Sequence, residues 1–231
     1  MTDWYKIKRI LVWQNNEEKQ IYPAGWTPNA NTVMYLPLED DLLDHSPNPN
    51  TMTQTWTITK QTIWYYFPQP SSWENKIASS KTVAQAVWSY PFTVNVWCKK
   101  DATSWSQHWW LWWDSVYNNS WTNYIYNSTQ MRIEWYNPYA SSNRYSIDNA
   151  DWWTNFWIVE KSDQILVYQN WVLKITRNQS RPLSTLALWL LLYANWSWVW
   201  QTYSRFIVEK WEWAADNFLD YYNQTKSNYG L

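Results

Sequence analysis

The side chains in this chain best suited to chemistry are tyrosines and amides, with few carboxylates placed to act together. Tyr117, Tyr124, Tyr136, Tyr139 and Tyr145 fall in or beside an Asn- and Ser-rich stretch from 114 to 148. Aromatic faces stack on sugar rings while Asn and Asp bond the hydroxyls, and Tyr with Asn and Ser is the adaptable composition of recognition loops. As a region, 114–148 is therefore the best candidate for a ligand surface; any one of these tyrosines also suits a strand of a β-sandwich. Catalysis finds less support. Glu209 and Glu212 flank Lys210 and Trp211, and Glu134 stands alone after Arg132-Ile133, so all three read as solvated charges rather than an acid–base pair. His45 and His108 have no Ser or Cys in an activating motif beside them, and Gly-rich phosphate loops are absent. The one cysteine, Cys98, lies in an apolar strand and reads as a buried structural thiol. No catalytic residue is assigned, and the chain is expected not to be an enzyme.

The elements that must position these residues are strands. Tyr5–Val12 alternates as one exposed or pairing strand, and a Pro- and Asn-containing linker follows it. Val33–Leu38 is a strand whose Pro37 suits an edge. Further candidates recur about every ten residues, at 52–59, 62–67, 92–99, 107–113, 122–127, 130–136, 153–160, 164–169, 172–177, 186–193 and 203–209. Helical periodicity appears only over Ala214–Lys226, with Ala214, Phe218, Leu219 and Tyr222 on one face. The expected fold is all-β: an antiparallel two-sheet jelly-roll sandwich over 29–231, with a short terminal helix packed on its edge. Residues 1–28 form an N-terminal strand arm and linker.

The turns between these strands pose a physical problem. The chain holds 25 tryptophans and two glycines, Gly25 and Gly230, against an average glycine usage of about 7%. Many tryptophans stand among small polar turn formers, as in Ser72-Trp73-Glu74, Ser104-Trp105-Ser106 and Ser120-Trp121-Thr122. Asn170-Trp171, between Val167-Tyr168-Gln169 and Val172-Leu173-Lys174, fills the slot of a type I′ hairpin turn, whose two central residues need positive φ. Glycine is the residue for that backbone. The expectation is a codon that specifies glycine in the source but is written as tryptophan. UGA behaves this way: it means Trp in one common alternative code and Gly in some ultrasmall uncultivated bacteria and their phages. The alternative is a truly Trp-rich binding protein. On the first reading Trp97, Trp153 and Trp213 are genuine. Trp4, Trp13, Trp26, Trp56, Trp64, Trp73, Trp88, Trp105, Trp121, Trp171, Trp189, Trp196 and Trp198 stand for glycine. Trp109, Trp110, Trp112, Trp113, Trp135, Trp157, Trp200 and Trp211 are left unassigned.

Four stretches, in order, resemble the laminin-G-like or concanavalin A-like superfamily in its pentraxin-related bacterial and phage form. They are Met34–Leu38 with Asp44-His45-Ser46-Pro47-Asn48; Phe92–Trp97; Trp153–Phe156 with Tyr168–Val172; and Phe206–Glu209 with Phe218–Tyr222. The match spans residues 32–226 and places glycine at Trp171, while Asn155 stands where the family usually has histidine. The resemblance implies a possible Ca²⁺ held by loop carboxylates, here Asp40, Asp41 and Asp44, since a hard cation prefers oxygen ligands. The alternative has Asp44 and Ser46 simply bonding backbone N–H groups in the turn. β-Glucanases on this fold carry Glu-x-Asp-x-x-Glu on one strand, and no such triplet occurs here.

The implied function is recognition without catalysis: a module binding carbohydrate or a protein partner at a cell surface, in a phage particle or extracellular assembly. Competing expectations are a structural virion or appendage subunit without ligand, and a glycoside hydrolase. A net charge of −1 with scattered cations argues against nucleic acid as partner. No apolar run reaches the 18 or so residues of a membrane span, the longest being Leu186–Tyr193. The start of the chain lacks the basic-then-apolar pattern of a signal peptide, so the expected location is a virion or cell surface reached by assembly or lysis. The arm is the expected route to a homo-oligomer.

Overall fold

The computed structural model describes residues 10–14, 17–21, 27–38, 41–55, 59–60, 65–67, 75–100, 109–113, 121–127, 130–135, 144–148, 152–178, 189–194 and 201–231. β1 (Ile10–Gln14) and β2 (Glu17–Ile21) pair with each other and, among the described residues, with no other strand. The sandwich begins with β3 (Thr32–Leu36), β4 (Met52–Thr55), β5 (Thr59–Lys60), β6 (Tyr65–Phe67) and β7 (Asn75–Thr82). A short helix, α1 (Val83–Val87), leads to β8 (Phe92–Lys100), β9 (Trp109–Trp113), β10 (Trp121–Asn127), β11 (Gln130–Trp135) and β12 (Arg144–Ser146). There follow β13 (Thr154–Glu160), β14 (Gln164–Gln169), β15 (Val172–Asn178), β16 (Trp189–Ala194) and β17 (Gln201–Glu209). α2 (Ala215–Thr225) and a 3-10 turn over Lys226–Tyr229 close the chain.

Two antiparallel sheets result, and the fold is an all-β sandwich. One has the order β12-β11-β10-β9-β16-β7-β4; the other runs β15-β14-β13-β8-β17-β6-β5. β3 also pairs with β17, beyond the β6 segment, and has no other strand partner among the described residues, as Pro37 leads one to expect.

The second sheet is covered on both faces, so β8 and β13 are buried at every position from Phe92 to Cys98 and from Thr154 to Glu160. Period-two alternation then sorts side chains by chemistry. Phe92, Val94, Val96 and Cys98 of β8 join Phe156, Ile158, Phe206 and Val208 in a largely aliphatic core that meets Ile77 of the opposite sheet. Trp97, Trp157, Val159 and Ile207 point the other way and receive Trp213, Phe218, Tyr221 and Tyr229. The terminal helix therefore lies on a sheet face, not on an edge. The reason is the row of outward aromatic side chains on the central strands, which no other described element covers. Its buried residues are Phe218, Tyr221 and Thr225, a stripe turned from the expected one; Leu219 and Tyr222 are half-buried and Ala214 exposed.

A bulge in β17 makes this two-faced packing possible. The pairing with β8 slips between Ser204 and Phe206, leaving Arg205 at φ 48° with its N–H on the Pro37 carbonyl at 2.9 Å. The extra residue lets Tyr203 and Phe206 both enter the core between the sheets while Ser204 turns to the terminal 3-10 turn, accepting a 2.9 Å bond from the Tyr229 hydroxyl.

Candidate binding surface

The tyrosines of the 114–148 stretch divide. Tyr117, Tyr136 and Tyr139 lie outside the described residues. Tyr124 sits in β10 opposite Arg132 of β11 and Trp110 of β9. Tyr145, in β12 opposite Met131, is half-buried and packs against the aliphatic core.

Of the three aspartates, Asp40 lies outside the described residues. Asp44 is buried. Its Oδ1 accepts the N–H of Tyr35 and of Ser46, each at 2.9 Å; its Oδ2 accepts the Asn50 backbone N–H at 2.7 Å and the Asn50 amide at 2.6 Å. Four donors use up the lone pairs of one carboxylate, so Asp44 ties the 44–50 loop to β3 and has no lone pair left for a cation. Asp41 accepts the Leu43 N–H at 2.9 Å and meets His45 Nε2 at 2.9 Å on the surface. Asp41 and Asp44 thus turn to different partners among the described residues. Among the described residues no three His, Cys, Asp or Glu side chains come together as metal ligands.

Glu209 is fully buried rather than solvated. Oε1 accepts from Thr32 Oγ1 at 2.9 Å and Asn29 Nδ2 at 3.3 Å, and Oε2 accepts the indole N–H of Trp211 at 2.5 Å and of Trp213. This carboxylate joins the start of β3 to the segment that leads into α2. Glu212 is exposed and pairs with Lys161 at 2.5 Å, so the two glutamates stand in opposite settings. Cys98 is buried, and burial pushes its thiol far above the ordinary range. Such a thiol stays protonated and inert.

At one end of the second sheet, Asp148 and Asn155 meet residues at and beside the β14–β15 turn. Gln169, itself buried, clamps Asp148: its Oε1 accepts the Asp148 N–H at 2.7 Å and its Nε2 donates to the Asp148 carbonyl at 2.9 Å. The Asp148 carboxylate is left in solvent, 2.7 Å from Lys174 Nζ on β15. Asn170 fixes the turn itself, its N–H donating to the Asn155 carbonyl and its Oδ1 accepting the Asn155 N–H, both at 2.9 Å. Beside them Lys99 Nζ stands 4.9 Å from the centroid of the exposed Trp152 ring. The rim presents a carboxylate, two ammonium groups, an amide and an aromatic face at the ends of strands and in the segments beside them, which is the equipment for bonding hydroxyls and stacking on an apolar ring. Tyr145 and Asp148 lie in the stretch singled out from composition, whereas Lys174, Lys99 and Gln169 lie outside it. The clamp joins residues 21 apart in sequence, and no local pattern announces it.

No family model and no curated protein sequence matches the chain. Solved structures do. The chain is similar to botulinum neurotoxin type C, described for cell entry dependent on two ganglioside molecules, at TM-score 0.65 and 13% identity over 84% of this chain and 51% of that one. It is similar to the botulinum neurotoxin DC binding domain in complex with rat synaptotagmin II, at TM-score 0.67 and 14% identity over 85% and 52%. The same binding domain in complex with SialylT matches at TM-score 0.67 and 13% identity over 84% and 51%. The chain spans about half the length of each. At these identities what is shared is the fold. Among the described residues no helix is long and apolar enough to cross a membrane.

Proposed function

We propose that this chain is a non-catalytic recognition module of laminin-G-like type whose ligand is a cell-surface carbohydrate. The observation that carries the reading is the rim of Asp148, Lys174, Asn170, Lys99 and Trp152, held on a sandwich that resembles ganglioside- and protein-binding toxin domains over 84–85% of its length. The tyrosines Tyr117, Tyr124, Tyr136, Tyr139 and Tyr145 extend the proposed surface along the neighbouring stretch. A phage particle or other extracellular assembly is the proposed setting.

The test is a glycan array probed with the full chain, alongside the double variant Asp148→Ala/Lys174→Ala. Saturable binding that the double variant weakens at least tenfold supports the reading. Binding only to a protein ectodomain would move the ligand to the protein class, as for the toxin domain with synaptotagmin II. No binding to either, with self-association through residues 1–28, would instead make the chain a structural subunit. A specific observation favours keeping that second reading: β1 and β2 pair apart from both sandwich sheets, and a lone two-stranded hairpin is marginal in water without a partner surface.

A further inference from the structure

We infer that the natural protein carries glycine, not tryptophan, at positions 88 and 171, and that one codon with two meanings accounts for the letters written there. Both residues lie in the left-handed region, Trp88 at φ 62° and Trp171 at φ 68°. A bulky side chain there is a conformational outlier. Each sits in a structural context with its own demand for glycine. Trp88 follows directly on α1, at the position where helices end in a left-handed residue, most often glycine. Trp171 follows Asn170, itself at φ 47°, as the second central residue of the two-residue β14–β15 turn, where the type I′ geometry favours Asn-Gly. Gly230 shows the chain's own usage: it caps the terminal 3-10 turn at φ 74°.

Besides Asn170, two further described residues with side chains hold positive φ, Leu38 and Arg205, and they show what compensation looks like. Leu38 (φ 55°) is fully buried in the aliphatic core, and Arg205 (φ 48°) is 8% exposed within the β17 bulge. Surrounding packing over-determines both backbones. Trp88 is 76% exposed and Trp171 44% exposed. The Trp88 ring meets only the Gln85 carbonyl and Lys210 Nζ, 5.6 Å from its centroid, among the contacts described. A cation over an exposed ring is a weak contact in water. The tryptophans expected to be genuine behave oppositely: Trp97, Trp153 and Trp213 are 0%, 5% and 4% exposed, and none has positive φ. Backbone and exposure thus set Trp88 and Trp171 apart from these three, whereas Trp13, Trp121 and Trp189, also expected to stand for glycine, lie in β1, β10 and β16 without positive φ and are not part of the inference; neither assignment depends on what the rim binds.

The deciding experiment reads the codons in the source DNA together with peptide masses of the protein from its own cells. The expected result is one triplet, UGA, at 88 and 171 with glycine masses, and UGG at 97, 153 and 213. UGG at 88 or 171, or a tryptophan mass there, overturns the inference for that position. A second arm uses the chain as written. Trp88→Gly and Trp171→Gly should each raise the melting temperature by roughly 3–6 °C, while Trp97→Gly should abolish cooperative melting. A lower melting temperature for either turn variant would show that its indole is needed, and would also overturn the inference.

Discussion

Tryptophan occupies two opposite settings in this molecule. Under the terminal helix, Trp97 stacks on Tyr229 at 4.1 Å between centroids, and Trp157 meets Trp213 at 4.4 Å, Phe218 at 4.9 Å and the edge of Tyr221 at 5.0 Å. At the ends of α1 and β14, Trp88 and Trp171 extend into water on a left-handed backbone. Burying an indole of 150–250 Å² is worth on the order of 4–6 kcal/mol. An exposed one returns little of that, and the left-handed backbone costs about 1–2 kcal/mol. The same residue type is therefore stabilising in one region and destabilising in the other, and context decides the sign.

The largest test of that contrast is on the buried side. Trp97→Ala or Phe218→Ala should lose about 3–5 kcal/mol in urea unfolding; a loss under about 1 kcal/mol would mean that the helix does not rest on the sheet as described. Asp44→Ala comes next. It strands four donors on Tyr35, Ser46 and Asn50 and should cost about 2–3 kcal/mol. Titrating calcium into the unaltered chain should leave its melting temperature unchanged, and a calcium-dependent rise would refute the purely structural role of Asp44.

Alkali probes the buried side in another way. Burial raises the pKa of Cys98, Tyr203 and Tyr221 above the ordinary values, with Arg205 partly opposing it at Tyr221. The unfolded chain releases these protons near pH ~8.5 for Cys and ~10 for Tyr, while the folded chain retains them. Stability is accordingly full below about pH 8.5 and falls as pH rises beyond it. Melting curves from neutral to strongly alkaline pH should show the decline, with its earliest part removed by Cys98→Ala. A flat profile would place these groups in water. The smallest effect belongs to the rim. Lys174→Ala should change stability by less than about 1 kcal/mol, as for exposed ion pairs, yet weaken glycan capture. Equal capture by the variant would remove the Asp148–Lys174 pair from the proposed site.

Much of the fold was legible because its signals are local. Alternation marked β8, β13, β14 and β15, and Asn170-Trp171 marked the turn between the last two. β7 was not legible: Asn-Lys-Ile-Ala-Ser-Ser-Lys-Thr offers one large apolar residue, Ile77, and becomes a strand by pairing with β16 and β4. β12, three residues long, likewise owes its form to β11. Of the candidate site, residues 144–148 lay within the stretch singled out from composition. Glu209 looked like a surface charge because sequence cannot show Asn29, Thr32, Trp211 and Trp213 gathering around it.

The sequence by itself determined the all-β class, the closing helix, the positive-φ demand at position 171 and the apolar setting of Cys98. Each of these depends on neighbours within a few residues, where periodicity and turn chemistry act directly. Only the tertiary structure decided that α2 covers a sheet face, that the Arg205 bulge brings Tyr203 and Phe206 onto one face, that Asp44 spends its carboxylate on a loop, and that Gln169 holds Asp148 beside Lys174. These outcomes join residues far apart in the chain, and their energies arise only once burial removes water and leaves each polar group to find its partner within the fold.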